Sequence, residues 1–512
     1  MLAKVYSAGL LGLKAQPVEV EVDLSAGLHT FHIVGLPDKA VNESRERVSS
    51  AVKNSGFRPP ERSRRRVTVN LAPAHLKKEG PAYDLAIAVA FLIANNQINL
   101  ENLEDKLFWG ELSLEGKLRP ANGVLAIALM AKEEKFRTLF IPQENAAEAA
   151  LVKNLEVIPV ESLNQLIAHL KGEVLIAQRP HLKIKQFSLV NDWLADFAYI
   201  KGQEQAKRAL EIAAAGGHNI LMHGPPGAGK TLLARSFPSI LPFLTLSESL
   251  EVTKIFSAAG RLPNGQPLMT VRPFRAPHHT SSAISLLGGG SYPRPGEITL
   301  AHRGVLFLDE FPEFNRQVLE SLRQPLEDGI ITVSRAKGSL TFPAKFILIG
   351  AMNPCPCGKL GDPEQVCTCA PSQISKYQRK ISGPLLDRID LHIEVPRLTY
   401  DKLASRKTAP FSESIRQEVT QARAIQKKRL AGEKGILTNS EMNLEQIKKY
   451  CQINLASQSL LRQAMNQFHL SARSYHRLLK LARTIADLEK AADIQTNHIA
   501  EAIQYRPKQE EI

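Results

Sequence analysis

A glycine-rich run carries the clearest chemistry in this sequence. It comprises Gly224, Pro225, Pro226, Gly227, Ala228, Gly229, Lys230 and Thr231. In a loop of this spacing the glycines let backbone N–H groups close around phosphates, the lysine reaches the β and γ oxygens, and the hydroxyl ligates Mg²⁺. An apolar segment precedes the run and a helical segment follows it, which is the order that a phosphate-binding loop requires. The run therefore predicts a site for ATP and Mg²⁺ in which Lys230 and Thr231 take part.

A pair of carboxylates supplies the second half of this site. Four apolar residues at 305–308 lead directly into Asp309 and Glu310. A buried strand would deliver both side chains to the γ-phosphate end of the loop. There Asp309 would hold Mg²⁺ through its water, and Glu310 would act as general base toward the attacking water. The alternative is a capping pair of carboxylates, which would leave the glycine-rich loop without a partner.

Two later segments resemble parts of AAA+ ATPases. Residues 346–354 are similar to the sensor-1 strand of that class, which implies that Asn353 orients the lytic water. Residues 383–390 resemble the arginine-finger segment of the helix-2-insert group, to which minichromosome-maintenance helicases and magnesium chelatases belong. This resemblance implies that Arg388 stabilises the transition state in a neighbouring subunit.

A third segment, residues 471–483, resembles the sensor-2 helix of the same proteins, and this implies a γ-phosphate contact for Arg473. Pairing with a surface carboxylate is the alternative for both this arginine and Arg388. Three neighbouring arginines compete for the same roles: Arg379, Arg477 and Arg483.

The gap between Lys230 and Asp309 is longer than a minimal phosphate-loop core needs, which indicates an insert. Two adjacent histidines, His278 and His279, lie in it beside arginines. Neighbouring side chains on a strand point to opposite faces, which favours structural or phosphate-contact roles over a metal site. The stretch resembles the signature of magnesium-chelatase-like proteins of the ComM/YifB type, and the similarity extends over essentially the whole chain.

Residues 330–342 form two β-rich runs around a glycine-containing turn, which predicts a hairpin. In the helicases that the chain resembles, a pre-sensor-1 hairpin projects into the central channel of a ring. The resemblance implies that Arg335 and Lys337 near the tip contact a phosphate backbone, and a solvated tip is the alternative. The other candidate DNA contacts are Arg272, Arg275, Arg64, Arg65 and Arg66.

Four of the five cysteines crowd into residues 355–369. Cys355 and Cys357 form one C-x-C pair, and Cys367 and Cys369 form a second. Four thiolates this close would complete a tetrahedral Zn²⁺ site, although the spacing is tighter than in the usual C-x-x-C knuckle. Free buried thiols and a redox switch remain the alternatives.

Three amino-terminal segments, residues 78–86, 110–120 and 141–145, resemble parts of the Lon-protease domain, which has a ribosomal S5 domain 2-like fold. The nucleophilic serine of that family follows Gly-Pro, where this chain has Ala82. Its lysine follows Gly-Gly-Leu, where residues 122–125 here are Asn-Gly-Val-Leu. With neither an activated hydroxyl nor an amine base, peptide hydrolysis has no nucleophile. A scaffold or DNA-guiding role is therefore expected.

The elements that position these sites are predicted from hydrophobic periodicity, which gives a multidomain chain of α/β and α+β parts. Strand and helix patterns mix at the amino end, strand–loop–helix order surrounds the glycine-rich run, and helical patterns dominate the carboxyl end. The predicted domains are 1–172, Lon-protease-like without the Ser-Lys dyad; 173–192, a linker; 193–397, an AAA+ core with helix-2 insert and pre-sensor-1 hairpin; and 398–512, an all-α lid.

The formal net charge of +14 and pI of about 9.4 suit a polyanionic partner. No stretch is long and apolar enough for a membrane span, and no signal peptide is recognisable. A cytoplasmic location without membrane attachment is expected.

The ComM/YifB resemblance implies a ring-forming, hexameric motor that drives DNA branch migration during recombination of incoming DNA in natural transformation. Single-stranded or branched DNA would be its substrate, and other recombination proteins are further partners to consider. A magnesium-chelatase-like ATPase subunit and a slow regulatory ATPase are the alternatives.

Overall fold

The computed structural model describes residues 2–63, 65–100, 102–182, 195–263, 265–290, 294–335, 338–362, 365–398, 411–433 and 435–506. The chain forms two compact units, one of Met1–Ser188 with Leu246–Met269 and one of Leu189–Thr245 with Thr270–Ile512. The sequence pattern assigns residues 246–269 to the ATPase core, whereas the structure has them in the first unit. The predicted domain boundary differs at this point.

A mixed sheet forms the first unit. The strands of the first unit are β1 (Leu2–Leu11), β2 (Lys14–Ala26), β3 (Thr30–Val34), β4 (Arg65–Ala72), β5 (Lys106–Phe108), β6 (Glu111–Leu112), β7 (Leu118–Arg119), β8 (Thr138–Pro142) and β9 (Glu156–Val160). Seven of them form one sheet in the order β3-β4-β2-β1-β5-β8-β9. The β1–β2 and β2–β4 pairs are antiparallel, and the other pairs of this sheet are parallel. The α+β character predicted for residues 1–172 is thus confirmed.

Helices cover this sheet. They are α1 (Lys39–Asn42), α2 (Ser44–Asn54), α3 (Asp84–Ala94), α4 (Val124–Glu133), α5 (Ala146–Ala149), α6 (Leu163–Leu170) and α9 (Leu246–Ala258). Helix α9 joins this unit because it packs against α4, and the Gly123 N–H donates to the Ser257 carbonyl oxygen at 3.1 Å. The start of the predicted linker also lies along this unit, since the Arg179 N–H donates to the Val157 carbonyl at 2.9 Å. Residues 183–192 of that linker lie outside the described residues.

A parallel sheet forms the centre of the second unit. The strands of this unit are β10 (Ile220–His223), β11 (Phe274–Arg275), β12 (Gly288–Gly289), β13 (Arg294–Pro295), β14 (Val305–Leu308), β15 (Ile330–Arg335), β16 (Gly338–Pro343), β17 (Ile347–Met352) and β18 (Leu391–Glu394). Five of them run parallel in the order β11-β14-β17-β10-β18. All four residues of β14 are buried, as expected where both faces of a parallel sheet are covered.

The helices of the second unit fall into a group around this sheet and a carboxyl-terminal group. The first group is α7 (Glu204–Gly216), α8 (Lys230–Ile240), α10 (Ala283–Leu287), α11 (Glu297–Leu300), α12 (Arg316–Ser321), α13 (Arg323–Asp328), α14 (Pro371–Gln378) and α15 (Gly383–Leu386). The second group is α16 (Ser412–Arg429), α17 (Leu444–Tyr450), α18 (Leu455–Gln467), α19 (Ala472–Leu488) and α20 (Thr496–Gln504). The predicted helical carboxyl end is confirmed. In the described ranges no helix combines the length and apolar character needed to cross a bilayer.

Candidate active site

Three parallel strands bring the predicted site residues to one edge of the second unit's sheet. Strand β17 pairs with β10 on one side and with β14 on the other, and His223 of β10 lies opposite Met352 of β17. The glycine-rich loop follows β10, Asp309 follows β14 and Asn353 follows β17. The carboxyl ends of parallel strands are where such sheets bind ligands. The three segments therefore meet where a nucleotide site is expected.

Glycines shape the loop between β10 and α8. A Cβ on Gly224 would lie 2.2 Å from the carbonyl oxygen of Val395, so only glycine allows this close approach. Gly227 and Gly229 have φ values of 79° and 93°, in the left-handed region that favours glycine. Helix α8 begins at Lys230, immediately after Gly229. The loop and the first N–H groups of a helix form the arrangement that binds phosphate.

Lys230 lies folded into this loop. Its Nζ donates to the carbonyl oxygens of Gly224 and Pro225 at 2.7 and 2.9 Å, and to Oδ1 of Asn353 at 3.1 Å. The residue is only 8% exposed. Burial lowers the pKa of this ammonium group, and the nearby Asp309 carboxylate opposes part of that effect. The structure thus brings together the predicted phosphate-contacting lysine and the predicted sensor-1 asparagine.

A threonine and an aspartate meet beside it. Thr231 Oγ1 donates to Asp309 Oδ2 at 2.8 Å, while Asp309 Oδ1 accepts the Glu310 N–H at 3.0 Å. A hydroxyl and a carboxylate oxygen are ligands that Mg²⁺ accepts when it also keeps several waters. The donor set of Thr231 and Asp309 therefore fits the predicted metal.

Glu310 has a partner that the sequence motif does not specify. Its Oε2 lies 3.0 Å from Nδ1 of His279, and its backbone is left-handed with φ of 50°. The expectation that His278 and His279 point to opposite faces of a strand is wrong, because β11 ends at Arg275 and the two ring centroids lie 4.2 Å apart. His279 also packs edge-on against Phe314, with centroids 6.5 Å apart. The contact between His279 and Glu310 orients the carboxylate of Glu310, the predicted general base.

The two predicted phosphate-contacting arginines converge on one carboxylate, Glu327 of α13. Nη2 of Arg388 donates to one oxygen of Glu327, and Nη2 of Arg473 donates to the other at 2.6 Å. Burial acts to raise the pKa of Glu327, but the two arginines outweigh burial and lower it. Glu327 carries no motif in the sequence, because its partners come from two distant segments.

The arginine pair lies at the edge of the sheet opposite to the glycine-rich loop. The Arg388 carbonyl oxygen accepts from the side-chain amide of Asn219 at 3.3 Å, and Asn219 immediately precedes β10. Leu391 of β18 pairs with Ile220 at the same edge. A four-residue strand spans about 13 Å, and the glycine-rich loop begins only after β10 ends. Arg388 is therefore separated from its own loop by the length of a strand.

Two of the three competing arginines have other partners. Arg477 Nη1 donates to Asp390 Oδ1 at 2.5 Å, and Arg483 Nη2 donates to the Ala491 carbonyl at 2.7 Å. Burial of Asp390 acts to raise its pKa, but Arg477 and His218 hold the pKa well below its usual range. Arg477 thereby binds the segment directly before β18, and Arg483 binds the loop that follows α19.

Two of the candidate DNA contacts have internal partners instead. Arg272 is 8% exposed and donates to the carbonyl oxygens of Pro242 and Arg303, both at 2.7 Å. Arg275 forms a bidentate ion pair with Glu297, with N–O distances of 2.6 and 2.9 Å. The structure does not support DNA contacts for this pair, because internal acceptors bind their guanidinium groups.

The remaining basic candidates are Arg335, Lys337, Arg64, Arg65 and Arg66. The predicted hairpin is confirmed, since β15 pairs antiparallel with β16 from Ile330 opposite Pro343 to Arg335 opposite Gly338. Lys337 and the side chain of Arg335 lie outside the described residues, as does Arg64. Arg65 and Arg66 are exposed at the start of β4.

Four cysteines converge near the site. Cys355 Sγ lies 3.4 Å from Cys357 Sγ, and Cys367 Sγ lies 3.6 Å from each of them. Together with Cys369, the four Sγ atoms all lie within 4.8 Å of one another. Tetrahedral Zn²⁺ with bonds of about 2.3 Å sets its sulfurs about 3.8 Å apart. The side-chain geometry fits that metal.

The cysteine loop also touches the glycine-rich loop. A Cβ on Gly358 would lie 2.7 Å from Cδ of Pro226 and 3.9 Å from Cγ of Asn353. This contact is a feature that spacing in the sequence does not reveal, because residues 226 and 358 are far apart along the chain.

A parallel five-stranded sheet with a glycine-rich loop, an Asp-Glu pair and an asparagine at one edge defines a P-loop protein of the AAA+ class. Family models for "Magnesium chelatase, subunit ChlI", "Subunit ChlI of Mg-chelatase" and "Magnesium chelatase, subunit ChlI C-terminal" match residues 196–403, 20–145 and 410–506. The chain is 43% identical over 507 residues to competence protein ComM of Haemophilus influenzae, covering 99% of this chain and 97% of that protein. It is 40% identical over 508 residues to the uncharacterized protein YifB of Escherichia coli, covering 99% and 97%. A Lon protease of Rhizobium meliloti is 29% identical over 136 residues, 26% of this chain and 17% of that protein.

The chain belongs to the ComM/YifB family of magnesium-chelatase-like AAA+ ATPases.

Proposed function

We propose that this protein hydrolyses ATP at the loop of residues 224–231. Lys230 would contact the β and γ phosphates, Thr231 and Asp309 would hold Mg²⁺, and this ion would neutralise charge on the phosphates. Glu310 would take the proton of the attacking water, which Asn353 would orient. The Thr231–Asp309 hydrogen bond and the Lys230–Asn353 contact support this assignment, because they join residues from three strands at one point.

We propose further that each site is completed by a second copy of the chain. Arg388 lies at the sheet edge opposite to its own glycine-rich loop, so it is suited to a phosphate bound by a neighbour. Arg473 shares this position through Glu327 and would contact the same γ-phosphate. A subunit that presents its loop on one side and its arginines on the other forms a head-to-tail interface, which closes into a ring. A homo-hexamer is the proposed ring.

The proposed work of the ring is movement along single-stranded or branched DNA, as in branch migration. Similarity to a competence protein along the whole chain carries this proposal and suggests a role in recombining incoming DNA during natural transformation, together with other recombination proteins. The net charge of +14 is consistent with a polyanionic partner. Arg335 and Lys337 of the hairpin would contact the DNA backbone, with Arg64, Arg65 and Arg66 as further contacts.

The test is ATPase activity measured with single-stranded DNA, with a four-way junction and with protoporphyrin. DNA should stimulate turnover. Stimulation by protoporphyrin alone would instead favour a chelatase-like subunit, and no stimulation by any DNA would exclude the DNA motor. Lys337→Ala should spare basal ATPase and lose DNA stimulation, while Lys376→Ala on α14 should spare both.

We propose a structural Zn²⁺ bound by Cys355, Cys357, Cys367 and Cys369. The sulfur distances support it, and the contact of Gly358 with Pro226 suggests that the metal would hold this loop beside the phosphates. Elemental analysis of the purified chain should find about one zinc per chain, and a chelator should lower its melting temperature. A zinc content below about half an equivalent per chain, or the same zinc content in the Cys367→Ser variant, would contradict the site.

The amino-terminal unit is proposed to keep a Lon-protease-like fold in a scaffold or DNA-guiding role. The local similarity to a Lon protease supports the fold. Where that family has its serine, this chain has the buried Ala82. At the position of the lysine region, the Leu125 N–H donates to the buried Glu148 carboxylate at 2.7 Å. These side chains offer neither a nucleophilic hydroxyl nor an amine base, so proteolysis is not expected.

A further inference from the structure

One carboxylate binds both arginines that the proposed function assigns to a neighbour's phosphate. We propose that Glu327 is an inhibitory clamp: it occupies Arg388 and Arg473 until the terminal phosphate of ATP, bound by a second copy of this chain, displaces it. The inference rests on the proposed function, from which it takes the action of the arginines on a neighbouring subunit. It adds that Glu327 prevents the two arginines from acting before the neighbouring subunit has bound ATP.

The geometry makes the carboxylate and the phosphate competitors. Each oxygen of Glu327 accepts one hydrogen bond, from Nη2 of Arg388 and from Nη2 of Arg473 respectively. Guanidinium groups recognise carboxylate and phosphate oxygens with the same donors. While Glu327 is bound, its negative charge cancels one of the two positive charges and repels an approaching phosphate. The arginines therefore cannot serve both anions at full strength.

Exposure allows the exchange. The side chain of Glu327 is 44% exposed and that of Arg473 is 42% exposed, whereas that of Arg388 is 11% exposed. The Arg473–Glu327 pair is open to solvent, and such pairs contribute about 1 kcal/mol or less. The Arg388–Glu327 pair is less exposed and is therefore screened less. A γ-phosphate offers more negative charge and more acceptor oxygens than a carboxylate, so it displaces Glu327 when it arrives in register. The clamp is strong enough to bias the arginines and weak enough to release them.

Helix α13 connects the two arginines to the hairpin of β15 and β16. Arg323, at its start, donates from Nη2 to Ser382 Oγ at 3.1 Å, just before the segment of Arg388. Gln324 accepts the Thr332 N–H of β15 at 3.4 Å. Residues 324 and 327 thus bind the hairpin and the arginine pair from one short helix. Release of Glu327 removes one restraint on the element from which the hairpin emerges.

The variant Glu327→Gln tests the clamp, because it keeps the shape of the side chain and removes its charge. ATPase activity is measured against protein concentration, since the arginines act between subunits. The half-maximal protein concentration should fall roughly three- to tenfold, as expected for the loss of one exposed and one largely buried ion pair. Turnover at saturating concentrations of protein and ATP should stay unchanged. Under these conditions Arg388 and Arg473 of the wild type also bind the γ-phosphate of the neighbouring subunit. Asp328→Asn, at the next position, is the matched control and should change neither value.

Three results would overturn the proposal. A lower turnover in Glu327→Gln with the same half-maximal concentration would mean that Glu327 orients the arginines for the reaction. If Glu327→Gln changes neither the turnover nor the half-maximal protein concentration, while Arg388→Ala abolishes activity, the clamp is rejected. The proposed action of Arg388 on a neighbouring subunit then still stands. Full activity of Arg388→Ala would instead reject the underlying proposed function. Thermal unfolding of each variant confirms that the comparison concerns folded protein.

Discussion

Glu310 shows how much of the proposed chemistry depends on a single side chain. Its backbone is left-handed, and His279 and the Asp309 carboxylate fix its surroundings. Glu310→Gln should leave ATP binding intact, since the amide has the same shape, and should lower turnover about 100- to 10,000-fold because it cannot accept the proton. Nucleotide binding and steady-state ATPase activity check this. Glu313→Gln, which loses only an exposed pair with Lys380, should keep near wild-type turnover; equal losses in the two variants would reject the assignment of the base.

The buried carboxyl of Asp84 makes the free energy of unfolding depend on pH. Burial raises the pKa of Asp84 to about 6, although Arg47 donates to it at 2.7 Å and acts to lower the pKa. The folded carboxyl then binds its proton more tightly than the unfolded chain does. Its stabilising effect is complete below the unfolded pKa of about 4 and is lost as the pH rises through about 6.

The variant Asp84→Asn removes this titration. The free energy of unfolding of the wild type, minus that of the variant, should fall by about 2 kcal/mol between about pH 4.5 and pH 7. Urea titrations of the two proteins at both pH values measure it. A difference that stays level or grows with pH would show that Arg47 outweighs burial.

A buried hydrogen bond holds helix α9 in the first unit. The Ser257 hydroxyl donates to the Glu148 carboxylate, which also accepts the Leu125 N–H of α4. Burial raises the pKa of Glu148, and these donors oppose the rise. Ser257→Ala leaves a buried carboxylate with one donor fewer, so the free energy of unfolding of this unit should fall by about 1–3 kcal/mol.

Urea unfolding and hydrogen exchange of residues 246–258 measure this effect. Ser247→Ala, on the exposed start of the same helix, is the control and should change stability by less than about 0.5 kcal/mol. Unchanged exchange and stability in Ser257→Ala, as in the control, would mean that the packing of α9 against α4, not the hydroxyl, holds this helix.

The elements also show what the sequence can predict. Strand β14, the hairpin of β15 and β16, and the glycine-rich loop follow from local patterns, because burial, turns and phosphate binding each impose a short spacing. The membership of residues 246–269 in the first unit does not, since it depends on a contact with α4 far away in sequence. For the same reason Arg272 and Arg275 read as basic surface, whereas tertiary partners bind them, and neither His279 nor Glu327 has a motif of its own.

At the scale of the whole molecule, the proposed ring requires that one catalytic site be built from two chains. Each subunit would supply Lys230 to one interface and Arg388 to the next, from opposite edges of its sheet. Lys230→Ala and Arg388→Ala proteins should therefore each be inactive alone. Mixed in equal amounts, they form some interfaces in which an intact loop meets an intact arginine.

Random mixing gives such complete interfaces at about a quarter of the positions in a head-to-tail ring, so roughly a quarter of wild-type ATPase activity should return. The control mixes Lys230→Ala protein with a chain carrying both substitutions, in which no subunit has an intact loop, and it should remain inactive. ATPase activity as a function of mixing ratio should peak near equal amounts. If the first mixture stays as inactive as the control while the variants still assemble, Arg388 acts within its own subunit and the shared site is rejected.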